Sequence, residues 1–334
     1  MFLRGPGGAV TANGSIMNNN GPMNNTGTAA GVSAQGIRRS FGSVEAVRGM
    51  DFTAPAGEVT ALIGPNGSGK TTLLLMLASL LAPDAGTVRI CGLDPAEHPG
   101  EVRRSVGWMP DTLGIWDSLT AAEILVTMGA LYGMARPAAR IRAAELLETV
   151  HLSDLADKPA RVFSRGQQQR LSLARALIHD PSVLLLDEPA SGLDPGSRID
   201  LRLLVRRLAA EGKTVVVSSH VLSELDEMAD RAVFVSKGET VRTQSLADAA
   251  EQPRWYTVRS LDGGSLQRAV VSREIPYRLQ GDERRPSLQV RVAGDAAAAE
   301  LLRSLVLADI SVTAFAPAGG ALEETYMSLD NDRR

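Results

Sequence analysis

Gly64-Pro65-Asn66-Gly67-Ser68-Gly69-Lys70-Thr71 is the stretch on which the fold of this chain turns. It fits G-x-x-x-x-G-K-[ST], the pattern of a phosphate-binding loop. Such a loop needs a strand before it and a helix after it. Glu58 to Ile63 is a short apolar run of strand character, and Thr72 to Leu81 is apolar, free of Gly and Pro, and long enough for a helix. Gly64, Gly67 and Gly69 let the backbone turn tightly and present N–H groups to phosphate oxygens. The helix start adds unpaired N–H groups and a positive dipole end. Lys70 reaches β- and γ-phosphates, and the Thr71 hydroxyl is a ligand for Mg²⁺. Gly64 to Thr71, with Pro65, Asn66 and Ser68 among them, and the following Thr72 are the candidate nucleotide-binding residues. A plain glycine turn is the competing reading, and the flanks argue against it.

Outward from the loop, two further apolar strands end in polar chemistry. Val183 to Leu186 lacks alternation, as a strand buried on both faces does, and delivers Asp187 and Glu188. Adjacent acids at the end of a buried strand are costly unless they work. Asp187 suits Mg²⁺, and Glu188 suits the orientation and activation of water. Ser191-Gly192-Leu193-Asp194 then turns the chain onward. Thr214 to Ser218 is the next buried strand, followed by Ser219 and His220. A lone His at a strand end is commonly structural; after two other strands ending in polar chemistry, a γ-phosphate or water contact is favoured. Phe163-Ser164-Arg165-Gly166-Gln167 precedes a helix with one apolar face, so Ser164 stands at an N-cap and the segment is a second candidate anion site. Phe41, well before the loop, is either a base-stacking aromatic or a core side chain. Val106 to Met109 forms a strand that runs through Pro110 into Asp111.

At 334 residues the chain has room for two or three domains. A hydrophobic content of 44% supplies a sizeable core, and a net charge of −3 gives no basic field for nucleic acid. Cys91, the sole cysteine, excludes an internal disulfide and is expected to be a small buried side chain. No stretch approaches the ~20 apolar residues that span a bilayer, and the start has no signal-peptide pattern, so a cytoplasmic location is expected. Residues 1–35 are rich in Gly, Asn, Ser and Thr and are expected to form a disordered tail, with order beginning near Ile37. Thr120 to Tyr132 and Ala138 to Val150 have helical periodicity and are separated by Pro137. Asp200 to Ala210 is expected to be a helix whose Arg202, Arg206 and Arg207 form a solvated face. Residues 251–334 carry no phosphate chemistry. They predict a small α+β unit with strands at Trp255 to Ser260, Ser287 to Val292 and Ile310 to Phe315, and helices at Ala297 to Leu307 and Ala321 to Leu329.

The order of these motifs resembles the ATP-binding subunit of ABC transporters from about Ile37 to Val241. The residues that carry the resemblance are GPNGSGKT at Gly64 to Thr71, the signature-like FSRGQ at Phe163 to Gln167, LLLDEP at Leu184 to Pro189, SGLD at Ser191 to Asp194, and the switch-like His220. Phe41 matches the base-stacking aromatic. DEPASGLDP and the Leu322-Glu-Glu-Thr-Tyr-Met327 segment look most like the multidrug and ABC-2 exporter branch. The resemblance implies an α/β P-loop NTPase core with a parallel sheet, an antiparallel edge subdomain and a helical subdomain over about 116–165. That core covers 36–245, with the α+β accessory domain after it. It also implies Mg²⁺-dependent ATP hydrolysis and a head-to-tail dimer of two copies. In that dimer ATP lies between Gly64–Thr72 of one copy and Ser164, Arg165, Gly166 and Gln167 of the other. A separate ABC-2-type membrane permease, holding the subunit on the inner face of the cell membrane, is the implied partner. A non-transport ABC ATPase acting on a macromolecular partner is the alternative.

The sequence departs from the family pattern in two places. Arg165 replaces a glycine of L-S-G-G-Q. Asp111 stands where the family has glutamine, and three roles are open to it: an Mg²⁺ ligand beside Thr71 and Asp187, a contact to a permease, or a solvated turn residue after Pro110. The first is favoured, because the preceding strand aims the loop at the phosphates.

Overall fold

The computed structural model describes residues 30–112, 114, 116–280 and 287–331. In chain order it opens with strands β1 (Ala30–Phe41), β2 (Val44–Pro55) and β3 (Val59–Ile63), then helix α1 (Lys70–Leu77) and β4 (Ala85–Ile90). Next come α2 (Pro99–Ser105), β5 (Val106–Met109), α3 (Ala121–Leu131), α4 (Arg136–Thr149) and α5 (Arg165–Leu177). β6 (Val183–Asp187), α6 (Pro195–Ala210), β7 (Thr214–Ser218), α7 (Leu222–Met228), β8 (Arg231–Ser236) and β9 (Glu239–Ser245) follow. The remainder is α8 (Leu246–Glu251), β10 (Pro253–Ser260), α9 (Gly263–Val271), β11 (Tyr277–Gln280), β12 (Ser287–Ala293), α10 (Gly294–Leu307), β13 (Val312–Pro317) and α11 (Ala321–Asn331).

The central sheet has the order β5-β6-β7-β3-β8-β9, parallel except for the antiparallel β9 at its edge. β3, β6 and β7 are buried at every residue, and the pleat divides their side chains between two cores. Leu184, Leu186, Val215 and Val217 face one side, packed by α5, α6 and the helical pair α3–α4. Leu185, Val216 and Leu62 face the other, packed by α1 and the antiparallel sheet β2-β1-β4. Burial on both faces is why these strands read as continuous apolar runs. Each Val or Leu so buried contributes about 1.5–3 kcal/mol.

Several expectations are corrected here. Residues 30–35, assigned to the tail, form the first half of β1: Val32 is fully buried, and the strand pairs with β2 on one side and β4 on the other. Small residues hid it, because Gly31 lies so close to Thr214 that an added Cβ would clash at 1.8 Å. The rest of the proposed tail, 1–29, lies outside the described residues. α1 stops at Leu77 rather than Leu81, since Ser79 adopts φ 58. Pro137 lies in the first turn of α4, where it needs no N–H partner, instead of between the helices. Cys91 is exposed, in a left-handed turn after β4. The arginines of α6 are not simply solvated: Arg202 pairs with Glu227 and Arg198 with Glu224 at 3.0 Å, tying α6 to α7, and Arg206 pairs at 2.6 Å with Asp230 just beyond α7.

Residues from β10 to β13 build the expected α+β unit, with four strands and the unpredicted α9. The order β11-β12-β10-β13, read with the β-α-β-β-α-β chain order, is a split β-α-β arrangement. Its own core gathers Tyr256, Val258, Leu266, Val290 and Leu305. α11 returns to the first unit, where Leu322 is fully buried in the core of the central sheet.

Candidate active site

The loop after β3 leaves a strand buried on both sides and enters α1 with a left-handed Gly69 at φ 100. A Cβ there would stand 2.8 Å from the Ala46 carbonyl, and one at Gly64 would stand 2.3 Å from that of Val235. Backbone approach on both sides thus demands glycine. No side chain caps α1, so its first N–H groups face outward for an anion. Lys70 is largely buried, and its Nζ donates to the Gly64 and Pro65 carbonyls at 2.7 and 3.2 Å. Burial pushes its ammonium pKa down, while Glu188 and Asp187 draw it back up.

Asp187 closes β6 and is almost fully buried. One carboxylate oxygen accepts from Thr71 Oγ1 at 3.0 Å and the other from Ser218 Oγ at 2.5 Å. The donor set of Thr71 hydroxyl and Asp187 carboxylate is all oxygen, which fits Mg²⁺. Glu188 follows at φ 51, and its N–H donates to Ser218 Oγ at 3.0 Å. The Glu188 carbonyl accepts from the buried Gln169 amide at 2.9 Å and from Ser191 N at 3.1 Å. Its carboxylate meets His220 Nδ1 at 2.8 Å. Asp194 caps α6 by accepting from Ser197.

Part of this set lines one cavity of about 570 Å³, within the range of nucleotide-sized pockets, while Gly64, His220 and Asp194 stand outside its wall. Gly67, Gly69, Lys70, Thr71, Thr72, Asp111, Asp187 and Glu188 form its wall, joined by Val44 and Ala46 from the start of β2 and by Lys237 from the β8–β9 turn. Asp111 is exposed and faces this cavity. Phe41 is outside the wall, but it is exposed and not a core side chain: it ends β1, pairs with the wall residue Val44, and carries the Arg39 guanidinium 5.1 Å over its ring. A second cavity, of about 400 Å³, lies behind the loop and is lined by Ser68, Ser236, Tyr326 and Leu329.

Ser164 and Gln167 do not reach the cavity of their own chain. They cap each other at the start of α5, Ser164 Oγ accepting from Gln167 N and Gln167 Oε1 from Ser164 N. Arg165 turns to Ser191, its Nη2 donating to Ser191 Oγ at 3.1 Å. Ser218, Gln169 and Lys237 were missed in the sequence. Ser218 showed only as the polar end of an apolar strand, and Gln169 only as a polar residue on the apolar face of α5.

The ABC transporter family model matches residues 47–191. The daunorubicin/doxorubicin resistance ATP-binding protein DrrA of Streptomyces peucetius is 32% identical over 309 residues, covering 91% of this chain and 94% of that protein. The chain belongs to the ABC transporter ATP-binding subunits. Nod factor export ATP-binding protein I of Burkholderia lata is 38% identical to this ABC subunit over 212 residues, 64% of the chain and 70% of that protein. Among solved structures, a dimeric post-hydrolysis ATP-binding cassette bound to ADP and Pi superposes with a TM-score of 0.59 at 29% identity. It covers 64% of this chain and 98% of that one. The ABC subunit is an ATPase whose hydrolysis is coupled to transport. Among its described residues no helix is long and apolar enough to cross a membrane.

Proposed function

We propose that this ATPase powers export through a separate ABC-2-type membrane permease, working from the cytoplasmic face as a head-to-tail dimer. The observation that carries the reading is the convergence of Lys70, Thr71, Asp187 and Glu188 on one cavity, with His220 2.8 Å from the Glu188 carboxylate. The likeness to Nod factor export ATP-binding protein I supports export, and the likeness to the drug-resistance protein DrrA, over 91% of this chain, extends the kinship into the accessory residues. In this reading the core ends near residue 245 and the accessory domain starts near 251.

The loop N–H groups from Gly64 to Thr72 and the Lys70 ammonium hold the phosphates, and Phe41 stacks on the base. Thr71 and Asp187 hold Mg²⁺, with Asp111 beside them; the ion neutralises phosphate charge when bound. Glu188 accepts a proton from water whose oxygen bonds to the γ-phosphorus as the bridging P–O bond breaks. His220 orients that carboxylate and faces the γ-phosphate. Ser164, Gly166 and Gln167 of a second copy close over the same nucleotide, and Ser191 to Asp194 lie beside them.

Glu188→Gln tests this reading. It keeps shape and loses the base. The variant is expected to bind ATP, to stop hydrolysing it, and to elute as a dimer with ATP and a monomer without. A monomer under both conditions, with bound ATP demonstrated, counts against the sandwich.

A further inference from the structure

Arg165 and Gln169 stand one turn apart on α5 and point at the same neighbour. Gln169, 2% exposed, donates to the Glu188 carbonyl at 2.9 Å. Arg165 donates to Ser191 Oγ at 3.1 Å, and its stem lies over Gly192, where a Cβ would come within 2.9 Å of Arg165 Cδ. Ser191 N in turn donates to the Glu188 carbonyl at 3.1 Å. One face of one helix therefore grips both ends of the turn Glu188–Ser191.

We propose that Arg165 is a positioning residue for hydrolysis, tying the turn that carries Glu188 to the first turn of α5. The consequence rests on the function proposed above. There, the start of α5 faces the nucleotide held by a second copy, while Glu188 serves the nucleotide in its own chain. A shift of that first turn reaches Glu188 along two paths, the buried Gln169 amide and the outer Arg165–Ser191 bond. A glycine at position 165 has no side chain to make the outer path. Arg165 thus acts on Glu188 through Ser191 and not on the phosphates directly.

The test is steady-state ATPase kinetics and calorimetric ATP binding on the full chain, comparing wild type, Arg165→Ala, Ser191→Ala and the double variant. Loss of a charge-assisted hydrogen bond predicts a kcat lower by roughly tenfold in each single variant. KM and the ATP Kd are expected to stay within about twofold of wild type. The double variant should be no slower than either single one, because both remove the same bond. Three outcomes overturn the proposal: wild-type kcat in Arg165→Ala; a weakened ATP Kd in Arg165→Ala with Ser191→Ala unaffected, which puts Arg165 on the nucleotide; or losses that multiply in the double variant. A wild-type chain that neither binds nor hydrolyses ATP refutes the proposed function itself and is distinct from all three.

Discussion

Glu188 stands at φ 51, a conformation that costs an L-residue on the order of 1–3 kcal/mol unless neighbours hold it. Ser218 and Gln169 hold it from opposite sides. Its carboxylate then meets His220 Nδ1 at 2.8 Å. Asp111 adds a further carboxylate to the cavity that Asp187 and Glu188 already line, and its charge repels a γ-phosphate unless a metal lies between them. Asp111→Asn is expected to raise severalfold the Mg²⁺ concentration giving half-maximal ATPase. ATP binding without metal should be unchanged or tighter. An Mg²⁺ dependence that overlays wild type removes Asp111 from the metal site and leaves the permease or solvent reading.

At the scale of elements, β1 decides whether the antiparallel sheet holds. It is the middle strand of β2-β1-β4, and its first half was invisible to composition. A chain starting at residue 36 loses Val32 and Ala34 from the core, most of the pairing with β4 and the first part of the pairing with β2. Losing a buried Val alone costs about 1.5–3 kcal/mol, so this chain is expected to melt several degrees below one starting at residue 30. Equal melting temperatures would show that β1 is dispensable before Gly36. β3, β6 and β7 were legible because burial on both faces leaves a run of Val and Leu that nothing else explains. The loop, Asp187 and Glu188 were legible because each ends such a run. β8 and β9 passed unread, since β9 alternates on an exposed edge and no motif marks it. Contacts such as Gln169 to Glu188, 19 residues apart, exist only once the helix has packed.

For the molecule as a whole, α11 joins the accessory domain to the ATPase core. Gly320 comes so close to Asp226 that an added Cβ would lie 1.7 Å from a carboxylate oxygen. Asp226 accepts from Leu322 N at 3.0 Å, and burial pushes its carboxyl pKa up. Thr325 meets Gln244, and Tyr326 and Leu329 line the cavity behind the phosphate loop. Leu322→Ala is expected to destabilise the ATPase core by about 2–5 kcal/mol, read as a lower calorimetric melting temperature. A melting curve that overlays wild type would mean the helix only rests on the surface. The same plug sets a schedule for synthesis. Phe234 and Leu322 share one core but are made 88 residues apart (322 − 234), which is roughly 4–18 s of translation. Throughout that interval the place that Leu322 fills in the core beside α7 has no occupant, because α11 is the last described helix to be made.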